Sequence, residues 1–299
     1  KNSEQTLTEQ GCWEYIESYV FPKIKPSQKQ DPDSPGNVGL EIEMFPFFAE
    51  LDKQGYPISA PDHQKKLGVS LSALAKQKSW ELLKDTGLHG EKLLTLIKIE
   101  GFENISFEPG GQLEFSSRPF SSLKFAMQRV CEIQNDLDRV FAEQSLSLLQ
   151  IGVNPWHTLD DIGLRMSKKR YQAMDRYFAP TLGRKMMRQT ATIQVCLDMG
   201  TSESQMVKRY LASQYVAPYL LAAFAHSPFV DRKATLQRSY RGAIWRGLDP
   251  SRPGFAKLSD VAQQLSRNAC IQSYLDYALD ASVIFVKDLD YFVPKQVSM

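Results

Sequence analysis

Ile105-Ser-Phe-Glu-Pro-Gly-Gly-Gln-Leu-Glu-Phe-Ser116 is the stretch of the chain that decides the fold. Apolar and polar residues alternate on both sides of a Pro-Gly-Gly turn, a pattern that predicts two adjacent antiparallel strands joined by a hairpin. Successive side chains of a strand point to opposite faces. The hairpin should therefore carry Glu108 and Glu114 on polar faces, and Phe107 and Phe115 on apolar ones.

Two further runs, 38–48 and 190–198, have the same two-sided pattern. Their polar positions are Glu41 and Glu43 in the first run and Thr190, Thr192, Gln194, Cys196 and Asp198 in the second. An antiparallel sheet commonly buries one face under helices and leaves the other face open. We therefore expect helices to cover the apolar side of all these strands.

Helical spacing of apolar residues predicts the elements that alternate with the strands. Five helices are predicted: one before Tyr19, one that begins near Ser167, and three that span 63–83, 123–145 and 203–225. A short strand is predicted at 148–153. Phe125 is expected in the apolar stripe of the 123–145 helix. Residues 1–36 read as an N-terminal helix followed by a proline-broken linker. Strands interleaved with helices, with hairpin spacing in places, predict an α+β fold with an antiparallel sheet.

Composition excludes several classes of protein. The 36 Lys and Arg residues nearly balance 34 Asp and Glu, so the net charge of +2 predicts no nucleic-acid or anionic-membrane partner. Four scattered cysteines without a CxxC pair indicate reduced thiols, and no targeting segment is visible at the start. We therefore predict a cytoplasmic protein. The most apolar run, 216–229, is too short to span a bilayer and is expected to form a buried core helix.

The polar faces suggest a specific chemistry. Taken singly, each face could simply be hydrated. Taken together, like charges such as Glu41 and Glu43 need a cation to compensate them. Carboxylate and amide oxygens are ligands that Mg²⁺ takes, and Mg²⁺ in turn usually brings phosphates. The chain has neither GxxxxGK[ST] nor GxGxxG, so the resulting hypothesis is a nucleotide site without a P-loop.

Arginine residues could supply the complementary positive charge. Arg188 immediately precedes the third polar strand, and Arg241 and Trp245 have the four-residue spacing that places two side chains on one helical face. Planar guanidinium groups suit carboxylates and phosphates. The cluster of Arg238, Arg241, Arg246 and Arg252 could equally form a hydrated surface.

A set of motifs resembles a known family. The motifs, in order, are Gly39-Leu-Glu-Ile-Glu43, Ser106-Phe-Glu-Pro-Gly-Gly-Gln-Leu-Glu114, Arg170-Tyr171, Met187-Arg-Gln-Thr-Ala-Thr-Ile-Gln-Val195, Ser227-Pro-Phe229, Ser239-Tyr-Arg-Gly-Ala-Ile-Trp245, Asp249-Pro250 and Tyr274-Leu-Asp-Tyr-Ala-Leu-Asp280. Together they resemble the plant-type glutamate-cysteine ligases and their relatives in ergothioneine biosynthesis.

The resemblance implies a glutamine-synthetase-like fold, in which residues 37–299 form one catalytic domain. A curved antiparallel sheet would make a funnel, with ATP and Mg²⁺ (or Mn²⁺) on its inner face and helices on its outer face. It also implies the reaction, in which ATP phosphorylates the γ-carboxylate of glutamate and the amine of cysteine then displaces phosphate. The product would be γ-glutamylcysteine, a precursor of glutathione or ergothioneine, made by a monomer or homodimer.

The resemblance further implies roles for individual residues. Glu41, Glu43, Glu108 and Glu114 would hold metal; Gln112, Thr192 and Gln194 would lie near metal or nucleotide; Arg170, Tyr171, Arg188, Arg241 and Trp245 would bind substrate. Arg188 and Arg241 would also stabilise the acyl phosphate and its tetrahedral successor.

Some positions depart from the family pattern. Cys196 and His226 stand where Asn is common, and a C-terminal part typical of the family is not present after Met299. Two alternatives to cysteine ligation therefore stay open. One is a carboxylate-amine ligase with another amine acceptor, and the other is a non-catalytic nucleotide- or glutamate-binding paralogue.

Overall fold

A computed structural model describes residues 8–24, 36–57, 63–86, 92–286 and 291–292. The helices are α1 (Glu9–Tyr15, continued by a π-helical turn, Ile16–Val20), α2 (His63–Lys78), α3 (Leu123–Ala142), α4 (Lys169–Tyr177), α5 (Gly183–Gln189), α6 (Glu203–Ala223), α7 (Tyr240–Arg246), α8 (Ser259–Gln264) and α9 (Arg267–Leu279). The strands are β1 (Val38–Phe48), β2 (Glu81–Thr86), β3 (Lys92–Lys98), β4 (Asn104–Phe107), β5 (Leu113–Ser116), β6 (Leu146–Leu149), β7 (Ile193–Leu197), β8 (Phe229–Val230), β9 (Lys233–Ala234), β10 (Phe285–Val286) and β11 (Tyr291–Phe292).

The long strand β1 organises the main sheet. One edge of β1 pairs with β5, while the other pairs with β7 along its first half and with β6 along its second half. All of these pairings are antiparallel, and β5 continues through β4 and β3 to β2. The α+β class with an antiparallel sheet is therefore confirmed.

Helices α2 and α3 cover one face of this sheet, as the alternation predicted. Leu40 and Ile42 of β1 and Phe115 of β5 are buried with Leu71 of α2 and Leu137 of α3 in the largest apolar cluster. Their polar neighbours along the strands are only partly buried. The period-two pattern thus separates an apolar face under helices from a polar face that the two helices do not cover.

The third polar strand departs from this expectation. Its apolar residues Ile193, Val195 and Leu197 are all more than half exposed, because β7 lies at the edge of the sheet beyond the reach of α2 and α3. The second half of α6 is likewise exposed, with Tyr219 at 76% and Phe224, directly after the helix, at 72%. The prediction that 216–229 forms a buried core helix is wrong for this reason. None of the helices in the described ranges is long and apolar enough to cross a bilayer.

Other boundaries differ from the sequence prediction. The helix from His63 ends at Lys78, because Ser79 adopts a left-handed backbone, and an unpredicted hairpin, β2–β3, follows. Phe125 is exposed rather than part of the α3 stripe. The predicted strand at 148–153 lies earlier, in β6.

A second apolar cluster joins the N-terminal helix to later helices. Ile16 and Phe21 pack with Tyr210 of α6 and Ile271 of α9, and Arg267 donates hydrogen bonds to the carbonyl oxygens of Phe21 and Glu17. The prolines of the predicted linker at 26, 32 and 35 lie outside the described residues. The four cysteines are free thiols.

Candidate functional site

The strand register brings the predicted acidic residues together on the polar face. Glu43 of β1 lies directly opposite Glu114 of β5, and Glu41 lies opposite Ser116. On its other side, Glu41 lies opposite Gln194 of β7. Three strands therefore contribute to one polar surface.

Local hydrogen bonds hold two of these carboxylates. The hydroxyl groups of Ser106 and Ser116 each donate to Oε1 of Glu114 at 3.1 Å. The backbone N–H of Thr192 donates to Oε2 of Glu43 at 2.9 Å, and the backbone N–H of Glu43 donates to the carbonyl of Thr192 at 3.0 Å. Thr192 thus contacts the acidic surface through its backbone.

Burial and mutual repulsion oppose ionisation of the acidic residues. Burial, followed by the nearby charges of Glu108 and Glu114, raises the pKa of Glu43 to about 7. Burial and Glu114 likewise raise the pKa of Glu108 to about 7. The pKa of Glu41 is also raised, by burial and then by Glu114. A partly buried carboxylate cluster of this kind is stabilised by protons or by cations.

Three cationic side chains border the cluster. Arg241 lies on the side of Glu43, and its charge partly offsets the rise in the pKa of that carboxyl. Arg170 and Lys168 act in the same way on the pKa of Glu108. The polar surface therefore has an acidic centre and a cationic border, which suits a substrate that carries phosphate or carboxylate groups together with a metal cation.

The turn between β4 and β5 is packed against the C-terminal end of α5. A Cβ atom at Gly110 would lie 2.5 Å from the carbonyl oxygen of Arg188, so only glycine fits there. The side chain of Gln112 is 2% exposed, and its amide nitrogen donates to the carbonyls of Thr190 at 2.8 Å and Met187 at 3.4 Å. Gln112 thus fastens the turn that carries Glu108 to the segment that leads into β7.

The oxygen of the Gln112 side chain, unlike the amide nitrogen, makes no hydrogen bond within the described residues, although it is buried. Because both groups facing the amide nitrogen are carbonyls, the orientation of the amide is fixed and its oxygen is the free acceptor. A fixed, unpaired oxygen acceptor beside a carboxylate turn is a suitable ligand for a hard cation.

Arg241 and Trp245 have the relationship that their spacing predicted. The guanidinium carbon of Arg241 lies 5.4 Å from the centre of the Trp245 ring. Burial lowers the pKa of Arg241, and the charge of Glu43 acts in the opposite direction. The Nε atom of Arg241 is buried, and it has no hydrogen-bond partner in the part of the chain that the structure describes. A buried, stacked guanidinium with an unused donor is suited to bind an anion.

The other predicted substrate-binding residues are arranged differently. Arg170 is exposed at the start of α4, donates a hydrogen bond to the hydroxyl of Tyr171 at 2.8 Å and stacks on its ring. Arg188 is buried and forms an ion pair with Asp175, which also pairs with Arg184 at 3.0 Å. The structure therefore directs Arg188 toward α4, and its substrate contact stays a prediction.

The donor set fits a divalent cation in its chemistry. Four carboxylates and the unpaired oxygen of Gln112 are hard oxygen donors, and burial and neighbouring carboxylates raise the pKa of Glu43 and of Glu108 to about 7. In the described ranges, no three His, Cys, Asp or Glu side chains converge as a preformed metal site. The fit therefore rests on donor chemistry and electrostatics.

Several site residues were missed by sequence reasoning. Ser106 and Ser116 support Glu114, and the alternation of the hairpin could have shown that they share its face. Asp175 and Lys168 come from the region around α4. No local pattern identifies them, because their contacts depend on how α4 packs against α5 and the β4–β5 turn.

Comparison with known proteins gives the family. A sequence profile of glutamate-cysteine ligase family 2 (GCS2) matches residues 37–296. The glutamate-cysteine ligase of Medicago truncatula, named as chloroplastic, is 32% identical over 287 residues, which cover 94% of this chain and 50% of the relative. Ligase B of Oryza sativa subsp. japonica is 30% identical over 94% of this chain and 52% of the relative.

The Arabidopsis thaliana glutamate-cysteine ligase is 32% identical over 79% of this chain and 44% of the relative. The chain thus spans about half the length of the curated relatives that it matches. The profile match extends over β1, the β4–β5 hairpin, β7 and α7, which together carry the acidic surface and Arg241. On this match, the chain belongs to glutamate-cysteine ligase family 2.

Proposed function

We propose that this protein ligates the γ-carboxylate of glutamate to the amine of cysteine in an ATP-dependent reaction. The observation that carries the proposal is the direct pairing of Glu43 with Glu114 on a polar sheet face bordered by Arg241. The family supports the same reaction, since the matched plant relatives are named glutamate-cysteine ligases. The cytoplasmic location and a monomeric or homodimeric state stay predictions.

We also propose that the sheet is the wall of a glutamine-synthetase-like funnel. The antiparallel order and the helices on the apolar face support this fold. In such a funnel, the face with Glu41, Glu43, Glu108 and Glu114 would be the inner one. ATP would bind along this face, with Gln112, Thr192 and Gln194 nearby.

The four glutamates would hold Mg²⁺, or Mn²⁺ in its place. When bound, a divalent ion would neutralise charge on the phosphoryl group during its transfer. The chain itself would contribute fixed positions for the carboxylates. Ser106 and Ser116 hold Glu114, and the backbone of Thr192 holds Glu43.

Arg241 would bind a carboxylate of glutamate, with Trp245 forming a wall of the pocket. The unused Nε donor and the stacked guanidinium support this role. Arg170 and Tyr171 would bind substrate phosphate or carboxylate at the opposite border, near Glu108. The predicted catalytic role of Arg188 would require a substrate contact in addition to its ion pair with Asp175.

The proposed chemistry proceeds in two steps. An oxygen of the glutamate γ-carboxylate attacks the γ-phosphorus of ATP, so a phosphorus–oxygen bond forms and ADP leaves. The amine nitrogen of cysteine then attacks the resulting acyl phosphate, loses a proton, and displaces inorganic phosphate. Arg241 would stabilise negative charge near the acyl group in both steps.

The test measures ADP release with ATP, Mg²⁺ and glutamate, with and without cysteine, together with mass detection of γ-glutamylcysteine. Cysteine-dependent ADP and product would support the proposal. ATP binding without turnover under saturating substrates would favour the non-catalytic alternative.

A second candidate function is ligation of glutamate to a different amine. The observation that favours it is Cys196, an exposed residue that lies opposite Gly39 in the strand register, beside the acidic surface. In the resemblance described above, Asn is common at this position. A panel of cysteine, alanine and ethylamine would separate the candidates. Equal turnover with all three amines would rule out specificity for cysteine.

A further inference from the structure

The position of Arg241 depends on contacts from outside its own helix. Helix α7 has only seven residues, which is too short to be stable by itself. Its local N-cap is Ser239, whose hydroxyl accepts a hydrogen bond from the N–H of Gly242 at 3.2 Å. This cap orders the helix start but makes no bond with Arg241.

Ser227 makes the hydrogen bonds that hold the start of α7 from outside the helix. Its hydroxyl accepts a hydrogen bond from the N–H of Arg241 at 3.2 Å, and its carbonyl accepts one from the N–H of Tyr240 at 2.9 Å. Its own N–H donates to the carbonyl of Arg238 at 2.9 Å. The residue is 7% exposed, so these bonds are shielded from water. All three polar groups of Ser227 are thus used to hold the start of α7.

A third segment reaches the same point. A Cβ atom at Gly152 would lie 3.5 Å from both Cδ of Arg241 and Cβ of Ser227. The carbonyl of Gly152 also accepts a hydrogen bond from the N–H of Ala191, just before β7. Arg241 and Ser227 therefore pack beside Gly152, which is hydrogen-bonded to the segment that leads into β7.

We propose that Ser227 is a positioning residue that fixes Arg241 in the orientation needed to bind the carboxylate of glutamate. The inference rests on the proposed function, since it assigns glutamate to the Arg241 side of the site. Loss of one hydrogen bond to a backbone N–H should weaken glutamate binding about three- to tenfold. Binding of nucleotide, near the acidic centre, should not change.

The test compares Ser227→Ala, Ser227→Thr and Ser239→Ala with the wild-type protein. Glutamate and nucleotide affinities are measured by titration with Mg²⁺ and a non-hydrolysable ATP analogue present. A second readout is the emission of Trp245, obtained by subtracting the spectrum of Trp245→Phe, because movement of Arg241 away from the ring changes it.

Ser227→Ala should weaken glutamate binding, leave nucleotide binding unchanged and alter the Trp245 emission before any ligand is added. Ser227→Thr keeps a hydroxyl and should bind glutamate within twofold of wild type. Ser239→Ala should lower the melting temperature while glutamate binding stays within twofold. Equal glutamate binding by Ser227→Ala and wild type, or equal weakening by Ser239→Ala, would overturn the inference. A wild-type protein that binds nucleotide but not glutamate would instead contradict the proposed function, and the inference would fall with it.

Discussion

Glu43 and Glu114 occupy directly opposed positions on two hydrogen-bonded antiparallel strands. Like charges in this arrangement destabilise a sheet, typically by roughly 0.2–1 kcal/mol. The pair nevertheless lies at the centre of the polar face, with Glu108 adding to the repulsion. Such a pair lowers the stability of the sheet at this point, and the cation site proposed above would account for the arrangement.

Glu114→Gln should therefore have opposite effects on stability and activity. Gln removes one negative charge but keeps an oxygen that can accept from Ser106 and Ser116. At pH 8, above the raised pKa of Glu43, and without divalent cations, we expect the melting temperature to rise by about 1–3 °C. The ligation rate at saturating Mg²⁺ should fall at least about a hundredfold. The rate of the Glu108→Gln variant should fall by a similar factor.

Calorimetry and ADP release measure the two effects. Glu143→Gln, an exposed site just after α3, is the matched control and should leave both quantities unchanged. A near-wild-type rate for Glu114→Gln would remove this residue from the proposed metal ligands.

Arg241→Ala should raise the KM for glutamate by about ten- to a hundredfold, because charged hydrogen bonds contribute about 1.5–3 kcal/mol. The KM for ATP should change much less, since Arg241 lies on the Glu43 side of the cluster. Arg241→Lys, which keeps the charge but loses the planar fork, should be intermediate. Steady-state kinetics with each substrate varied gives the comparison.

Arg246→Ala is the control for the Arg241 variants, because Arg246 lies on the same helix and is exposed. An unchanged glutamate KM in Arg241→Ala would count against the carboxylate contact. Equal increases in both KM values would indicate a general disturbance of the site.

Sequence reasoning succeeded where the decisive pattern is local. Alternation placed Glu43 and Glu114 on polar faces because the period of a strand is a property of adjacent residues. The spacing of Arg241 and Trp245 likewise follows from one turn of helix. The direct pairing of the two glutamates could not be predicted, because it depends on the register between strands that are far apart in the chain.

The same distinction explains the failures. The role of Arg188 stays a prediction, but its ion pair with Asp175 could not be foreseen, because it depends on the packing of α5 against α4. Apolar residues in 63–83 suited a helix, while the left-handed Ser79 divides them between α2 and β2. The helical period of α6 was evident, but whether a helix face is buried depends on which segment packs against it.

Gln112 gives a prediction about the scaffold of the site. Gln112→Ala removes the donor to the carbonyls of Thr190 and Met187 and leaves both buried acceptors short of a partner. We expect the free energy of unfolding to fall by about 1–3 kcal/mol. Gln112→Glu should destabilise more at pH 8, because a carboxylate can only accept hydrogen bonds and would face two carbonyl oxygens.

Urea unfolding measures these losses. Gln263→Ala, at an exposed position of α8, is the control and should stay within about 0.5 kcal/mol of wild type. Equal stability of Gln112→Ala and wild type would show that the amide does not fasten the β4–β5 turn.

His157 should make the stability of the fold sensitive to mild acid. It is buried against Phe47, with the Asn154 amide facing Nδ1 and the Pro57 carbonyl accepting from Nε2.

Burial is the main reason why the pKa of His157 is lowered, and the charge of Arg232 lowers it further. The Pro57 carbonyl, Asp161 and Asp52 act in the opposite direction but do not cancel this effect. Below about pH 6.5 the unfolded chain takes up a proton that the folded protein resists. The free energy of unfolding should therefore fall as the pH decreases through 6.5, and this contribution should level off below the folded pKa. Urea unfolding between pH 7.5 and 5 measures the slope. His157→Gln should reduce it, whereas His226→Gln, at an exposed histidine, should not. An unchanged slope in His157→Gln would show that another group governs acid sensitivity.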